Sequence, residues 1–484
     1  MSFCGASISS ENLSGVTTEV TFRPCSGGTI SLGTQVFPFN YVNEYYFGTY
    51  DCYVPLYDYV YTVEVPCPSE TPTPTPTVTP TETLSETVAE TPTPTPTQTP
   101  WDYCYSFNGG FNNQAETAFE DENGKILFGG YFTTYSGIPF NRIVRINSDA
   151  SVDDTFNIGS GFNNAVFEIK VQSDEKIVVG GDFTSYSGFS SNRIIRLNAD
   201  GSIDNTFSAG TGFNGVVWTV EPQLDGKILV GGSFTQYNGN YHPGLIRLNS
   251  DGSVDNTLNV GSGTNNSIFH ILVQDDGKLI LLGGFTMYNG ETHNRIVRLN
   301  NDGSLDTTFS AGTGFNGITY DGIIESDGKL VIVGAFFEYN GTVRDELIRL
   351  NSDGSIDETL IIGNGFRRTS GTTFCTTIKK YFDKYFIVGD FDTYSGSSAN
   401  GLIRLNENGS IDESFDTGTG LLFSATSFNI GIILSSGIHV VYGTFTEYNG
   451  YEVNDIAFLN PFGTLMNCPL PTPTPTTTPT VTPT

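Results

Sequence analysis

Methionine, tryptophan and histidine are scarce in this 484-residue chain, with three, two and four copies. Cations are scarce too: Lys plus Arg number 22 against 52 Asp plus Glu, a formal charge of −30. That shortage excludes general nucleic-acid binding and docking on anionic membranes, because both surfaces repel an acidic chain. No run of 18 apolar residues occurs, so no membrane-inserting helix is expected. Residues 1–20 lack the basic start and apolar core of a secretory signal. HExxH, GxSxG and phosphate-loop patterns are absent, and His242, His270, His293 and His439 fall at unmatched places. No catalytic residue is therefore expected. The seven cysteines fit no zinc spacing, and neither a metal nor a cofactor is expected. Charged residues make up only 15% of the chain, too few for a disordered polyelectrolyte. What is abundant is glycine, 56 residues, and aromatics at 13%, the composition of an all-β protein rich in tight turns.

Proline is concentrated. Sixteen of 23 prolines lie in two Thr-Pro tracts, residues 66–100 and 469–484. Proline fixes φ and removes an amide donor, so neither tract pairs as a strand or coils as a helix. The first reads as an extended spacer spanning on the order of 100 Å, at roughly 3.1 Å per residue, or as a rod stiffened by sugars on threonine. The second reads as a disordered tail. Before the spacer, residues 1–65 form a small β-rich leader, with alternating runs at 16–22, 29–32, 45–47 and 59–65. Cys4, Cys25 and Cys52 lie in it and Cys67 just beyond. They are either disulfide staples or buried thiols.

Residues 101–468 repeat. Aligned on Phe132, Phe183, Phe234, Phe285, Phe336, Phe391 and Phe445, seven copies follow at intervals of 51, 51, 51, 51, 55 and 54. Each copy contains a hydrophobic strand, an Asp-Gly-type turn, a strand with a Gly-Gly step, a Tyr-Asn-Gly turn, a third strand, and a short fourth strand such as that around 255–258. Four short strands cannot bury a core alone, and a period near 50 marks a propeller blade. The expectation is a seven-bladed β-propeller. Cys104 and Cys468 flank the copies, and a mixed blade built from both ends would bring them together. A disulfide there would contribute about 4–5 kcal/mol. The alternative is two thiols in adjacent strands.

The pattern Gly-Lys-Ile-Leu-Val-Gly-Gly-x-Phe-Thr-x-Tyr-Asn-Gly, followed by Ile-x-Arg-Leu-Asn-x-Asp-Gly-Ser-x-Asp-x-Thr-Phe, resembles the delta-60 repeat β-propeller family. The resemblance implies a propeller over residues 101–468, and neither a reaction nor a ligand.

Comparing the copies with one another sorts their residues. Arg145, Arg196, Arg247, Arg298, Arg349 and Arg404 are each followed eight residues later by Asp153, Asp204, Asp255, Asp306, Asp357 and Asp412. In the seventh copy Phe458 and Met466 replace both charges together. The reading is a structural cross-strand ion pair, expected to be exposed and worth about 0.2–1 kcal/mol. A ring of Arg gripping an anion is the functional alternative. Tyr135, Tyr186, Tyr237, Tyr288, Tyr339, Tyr394 and Tyr448 recur in every copy, which suits packing better than ligand stacking. Asn-x-Asp-Gly-Ser-x-Asp reads as a hairpin turn, since the EF-hand glycine and twelfth-position Glu are missing.

A binding site belongs where copies differ. Copy six inserts residues 366–374 and brings Arg367, Arg368, Lys379 and Lys380, expected to reverse the local field. Copy three carries His242 within Asn240-Tyr-His-Pro243, and Trp218 is unmatched by another Trp between 102 and 484. These six residues are the candidate binding set. Leader, spacer and ring together resemble virion structural proteins of marine tailed phages. That layout implies a non-enzymatic, fibre-like virion component that contacts virion proteins through the leader and a host-surface glycan or protein through the propeller. A bacterial cell-surface or secreted adhesion or carbohydrate-binding propeller, outside the cell, is the alternative. A propeller glycosidase is disfavoured by the lack of a unique acidic site.

Overall fold

The computed structural model describes residues 109–369, 371–423 and 428–466, and four strands of the leader. The chain divides into two units, residues 1–94 and 95–484. In the first, Thr17–Phe22 pairs antiparallel with Ile30–Val36, and Tyr53–Leu56 with Tyr59–Thr62. The run at 45–47, both Thr-Pro tracts and the Cys104 and Cys468 pair lie outside the described residues. Cys375 is the described cysteine, a buried free thiol.

The second unit is all-β among its described residues. In each of seven copies an antiparallel three-stranded sheet runs first–second–third strand, as in Val217–Pro222, Ile228–Gly232 and Leu245–Leu248. A separate two-residue hairpin follows the second strand, as Gln236–Tyr237 with Asn240–Tyr241. Its turn residue Asn238 has φ +48° and Gly239 φ +77°. Two successive positive φ values make a type I′ turn, which is why Asn-Gly or Ser-Gly recurs there.

The expected fourth strand is reduced to a single bridge, Leu248 to Val254. The reason lies one residue on. Asp255 Oδ1 accepts from the Thr257 amide at 3.0 Å and hydroxyl at 2.7 Å, turning the chain out of the ladder. The Asn259 amide then bonds to Asp302 O, in the next copy.

The core sits between copies rather than within them. The described residues form seven buried hydrophobic clusters, each joining neighbouring copies, such as Leu229 and Leu245 of the third with Ile268 and Ile271 of the fourth. One of these joins the last copy to the first: Val440, Tyr442 and Phe458 pack with Phe111, Phe128 and Val144. The Gly-Gly step serves this packing. A Cβ on Gly180 would stand 2.6 Å from Val217 of the next copy. Each repeated Tyr is buried and donates its hydroxyl to a carbonyl fifteen residues on, as Tyr237 to Gly252 O at 2.6 Å. That burial leaves no ring face for ligand stacking.

Candidate binding face

Each sheet has two ends, and they differ in chemistry. One end carries the Asp-Gly turns and, in six of the seven copies, the Arg–Asp pairs, with Leu224, Ile361, Phe382 and Phe462 exposed among the turns. Arg247 Nε donates to Asp255 Oδ2 at 2.7 Å, its Nη2 to Thr257 Oγ1 at 3.0 Å, and its Nη1 to Asn301 O of the next copy at 3.1 Å. Lys227 Nζ adds a contact to Asp255 at 3.2 Å. Burial alone would raise the Asp255 carboxyl. The Thr257 bonds, Arg247 and Lys227 outweigh it and hold the carboxyl well below the usual range. The pairs are buried, Arg247 at 3% and Asp255 at 6% exposure, which corrects the expectation of exposed pairs. Sequence spacing places the two side chains opposite each other. It does not reveal that the next copy covers them.

The other end carries the hairpins, and there the copies diverge. Ile138, Phe189, Tyr241, Val343 and Tyr451 stand exposed at hairpin tips, while the other tips carry Glu291 and Ser397. The first strands neighbour one another in copy order, and Ile430–Ile433 of the last neighbours Ala115–Glu120 of the first. Where these strands begin, at the hairpin end, aromatic rings meet in a row. Tyr131 to Phe167 is 5.7 Å, Phe167 to Trp218 4.4 Å, Trp218 to Phe269 5.5 Å and Phe269 to Tyr320 5.8 Å. Tyr320 continues the row to Phe374 and Phe428, at 6.1 and 5.5 Å. In the first copy Glu116 takes the place that Phe167, Trp218, Phe269 and Tyr320 hold 51 residues apart. Burial pushes its carboxyl up to about 8.

Beneath the row the first strands bring charges together. Asp321 receives His270 Nδ1 at 2.5 Å, Lys379 Nζ at 2.9 Å and the Ile378 amide at 3.0 Å. Burial works against the Asp321 anion, but Lys379 and His270 hold its carboxyl low. Lys170 Nζ stands 3.5 Å from Glu221, and burial raises the Glu168 carboxyl beside them. Among the described residues no group of three or more His, Cys, Asp or Glu is arranged to hold a metal ion.

The six candidate binding residues do not form one patch. Trp218 lies in the aromatic row, its indole N–H donating to Ser233 Oγ at 3.0 Å. His242 is near a hairpin tip, with its amide bonded to Thr235 O. Arg367 and Arg368 are at the hairpin end. Lys379 is within the charge cluster, and Lys380 is near the opposite end, bound to Glu325 at 2.9 Å and Glu407 at 2.7 Å. Arg367 pairs with Asp345 at 2.9 Å and Arg368 with Asp390. With every one of these four cations beside an acid, the expected reversal of the field is not found.

Arg367 also has a specific duty. In the second and fourth copies Arg193 and Arg295 reach into the next copy and donate to Phe213 O and Phe315 O, at 2.9 and 3.0 Å. The equivalent residue of the fifth copy is Glu346. There Arg367 caps Phe366 O from its own copy, at 2.7 Å.

The aromatic row escaped sequence reasoning except for Trp218. Its members differ in type, so a search for repeated residues passes over them. The usable signal was the changing residue at positions 116, 167, 218, 269 and 320, 51 residues apart.

The family model described as a domain of unknown function, DUF5122 beta-propeller, matches residues 122–156, 172–207, 223–258, 274–309, 325–360 and 383–415. These are β-propeller repeats. The six matched stretches fall in the copies that keep the Arg–Asp pair; the seventh copy, with Phe458 and Met466, has neither charge. No curated protein matches the chain. Among solved structures, the computationally designed Ika8 protein is similar at 10% identity and TM-score 0.42, over 75% of this chain and 98% of that one. PorZ, a bacterial surface component of the type-IX secretion system of Porphyromonas gingivalis, is similar at 11% identity and TM-score 0.36, over 74% of this chain and 59% of that one. Kuenenia stuttgartiensis hydrazine synthase is similar at 16% identity and TM-score 0.31, over 57% of this chain and 41% of that one.

Proposed function

We propose that residues 101–468 form a closed, seven-bladed propeller of delta-60 type repeats, and that the protein is a non-enzymatic, fibre-like virion component. In this reading the leader joins virion proteins, the Thr-Pro tract holds the ring away from the particle, and the hairpin face meets a glycan or protein of the host surface. Closure is supported by the cluster that packs the last copy on the first. One observation carries the functional reading: the two ends of the ring are unlike. The Asp-Gly end repeats its buried Arg–Asp pairs in six copies, whereas the hairpin end carries varied tips and a row of aromatic rings left partly in solvent. Varied side chains on a rigid scaffold are how a repeat ring acquires a specific surface. Mass spectrometry of purified virus particles tests the location. The chain among the particle proteins agrees with the proposal. Its absence there and presence in a bacterial envelope fraction would replace it with the adhesion reading.

A further inference from the structure

We propose that the aromatic row is a saccharide site, in which a neutral sugar ring stacks on Trp218. The proposal rests on the hairpin face being the binding face, and it names the ligand class. Phe167 and Trp218 lie 4.4 Å apart with only 33° between their planes, and Phe269 meets Trp218 at 67°. The bond from the indole N–H to Ser233 Oγ fixes the Trp218 plane. Their strand neighbours Val166, Val217 and Ile268 are fully buried, yet these three rings remain partly in solvent. Aromatic rings placed there provide flat apolar area with little conformational entropy to lose.

The groups beneath the row suit hydroxyls. Glu168 is reached by the Thr117 hydroxyl at 3.4 Å, a long contact that leaves acceptor capacity. Lys170 Nζ, 3.5 Å from Glu221, adds a donor. A sugar hydroxyl both donates and accepts, and the C–H face of the ring is apolar, so one ligand uses both layers. Nucleic-acid bases also stack on such rings, but their phosphates would meet a chain of net charge −30. The same net charge disfavours sialylated or sulfated sugars.

The test uses the full chain with Trp101→Phe, which leaves Trp218 as the sole indole fluorophore, since the chain has two tryptophans. It is applied to a printed array of neutral and acidic glycans, and the strongest neutral oligosaccharide is then titrated against Trp fluorescence. The expected result is neutral glycan binding with a change in Trp218 emission. Trp218→Ala should lower affinity about tenfold, the loss of one stacked ring. Trp218→Phe, the residue type at the equivalent place of copies two and four, should retain most of the affinity. Glycan binding untouched by Trp218→Ala in a folded protein, or binding confined to acidic glycans, overturns the proposal. Binding to host envelopes with no glycan bound overturns the saccharide site and leaves the hairpin-face reading standing. Absence of both overturns both.

Discussion

Phe458 and Met466 stand in the seventh copy where Arg404 and Asp412 stand in the sixth. The backbone bond is kept, Met466 N to Phe458 O at 2.8 Å against Asp412 N to Arg404 O at 2.9 Å. Ile438 takes the place of the lysine, Lys227 in the third copy, and all three apolar side chains join the cluster between the last and first copies. One chain thus holds an ionic and an apolar solution to the same site.

Removing one partner of a buried pair should be costly where replacing the whole set is not. Arg247→Ala is expected to cost about 3 kcal/mol, because it strands Asp255 and cuts the bond to Asn301 O. The triple change Lys227→Ile, Arg247→Phe and Asp255→Met is expected to be neutral or stabilising. Urea unfolding of the two variants measures both. Additive effects of Arg247→Ala and Asp255→Ala would show that the pair is not coupled.

The seam between the fifth and sixth copies depends on Arg367. Arg367→Ala should destabilise by about 1–2 kcal/mol through the uncapped Phe366 carbonyl. Adding Glu346→Arg should restore stability by supplying the cap as Arg193 and Arg295 do. Thermal melts of the single and double variants read this rescue.

Stability should fall as pH rises from about 5 to 8. Burial holds Glu346 up at about 8, with Asp345 adding to the rise and Arg367 opposing it, and Asp455 is raised to about 6, also by burial. Each folded carboxyl keeps its proton above its ordinary value, so its contribution is full below that value and is lost as pH passes the folded one. The Asp255 class has the opposite sign. Its lowered carboxyls contribute above the ordinary value, and that stability is lost as pH falls toward their folded values. Melting temperature should therefore peak near pH 4–5, and Glu346→Gln should flatten the alkaline limb. An unchanged limb in that variant would assign the loss elsewhere.

Deleting one whole copy, residues 233–283, should unfold or aggregate residues 101–468, because each core cluster joins two copies and one of them joins the last copy to the first. A monomeric, cooperatively melting six-copy protein would contradict this.

The repeat period and the three recurring strands were legible because aromatic, Gly-Gly and Asn-Gly positions recur in register. The eight-residue Arg-to-Asp spacing pointed to the contact between them. The burial of the pair was not legible, since it depends on a carbonyl such as Asn301 O, 54 residues beyond Arg247. The fourth strand failed because the side chain of Asp255 competes with the ladder for the backbone. The cations of copy six looked like a patch by their nearness in sequence. An extended strand, Phe374–Tyr381, separates Arg368 from Lys380, and an acid answers each.

In the proposed function the hairpin face does the binding. Hydrogen–deuterium exchange of the full chain, alone and mixed with host-cell envelope, tests it most directly. Protection is expected at the hairpin segments around 138, 189, 241 and 451 and at the starts of the first strands, with the Asp-Gly turns around 200, 251 and 302 unchanged. Protection confined to those turns would contradict the account.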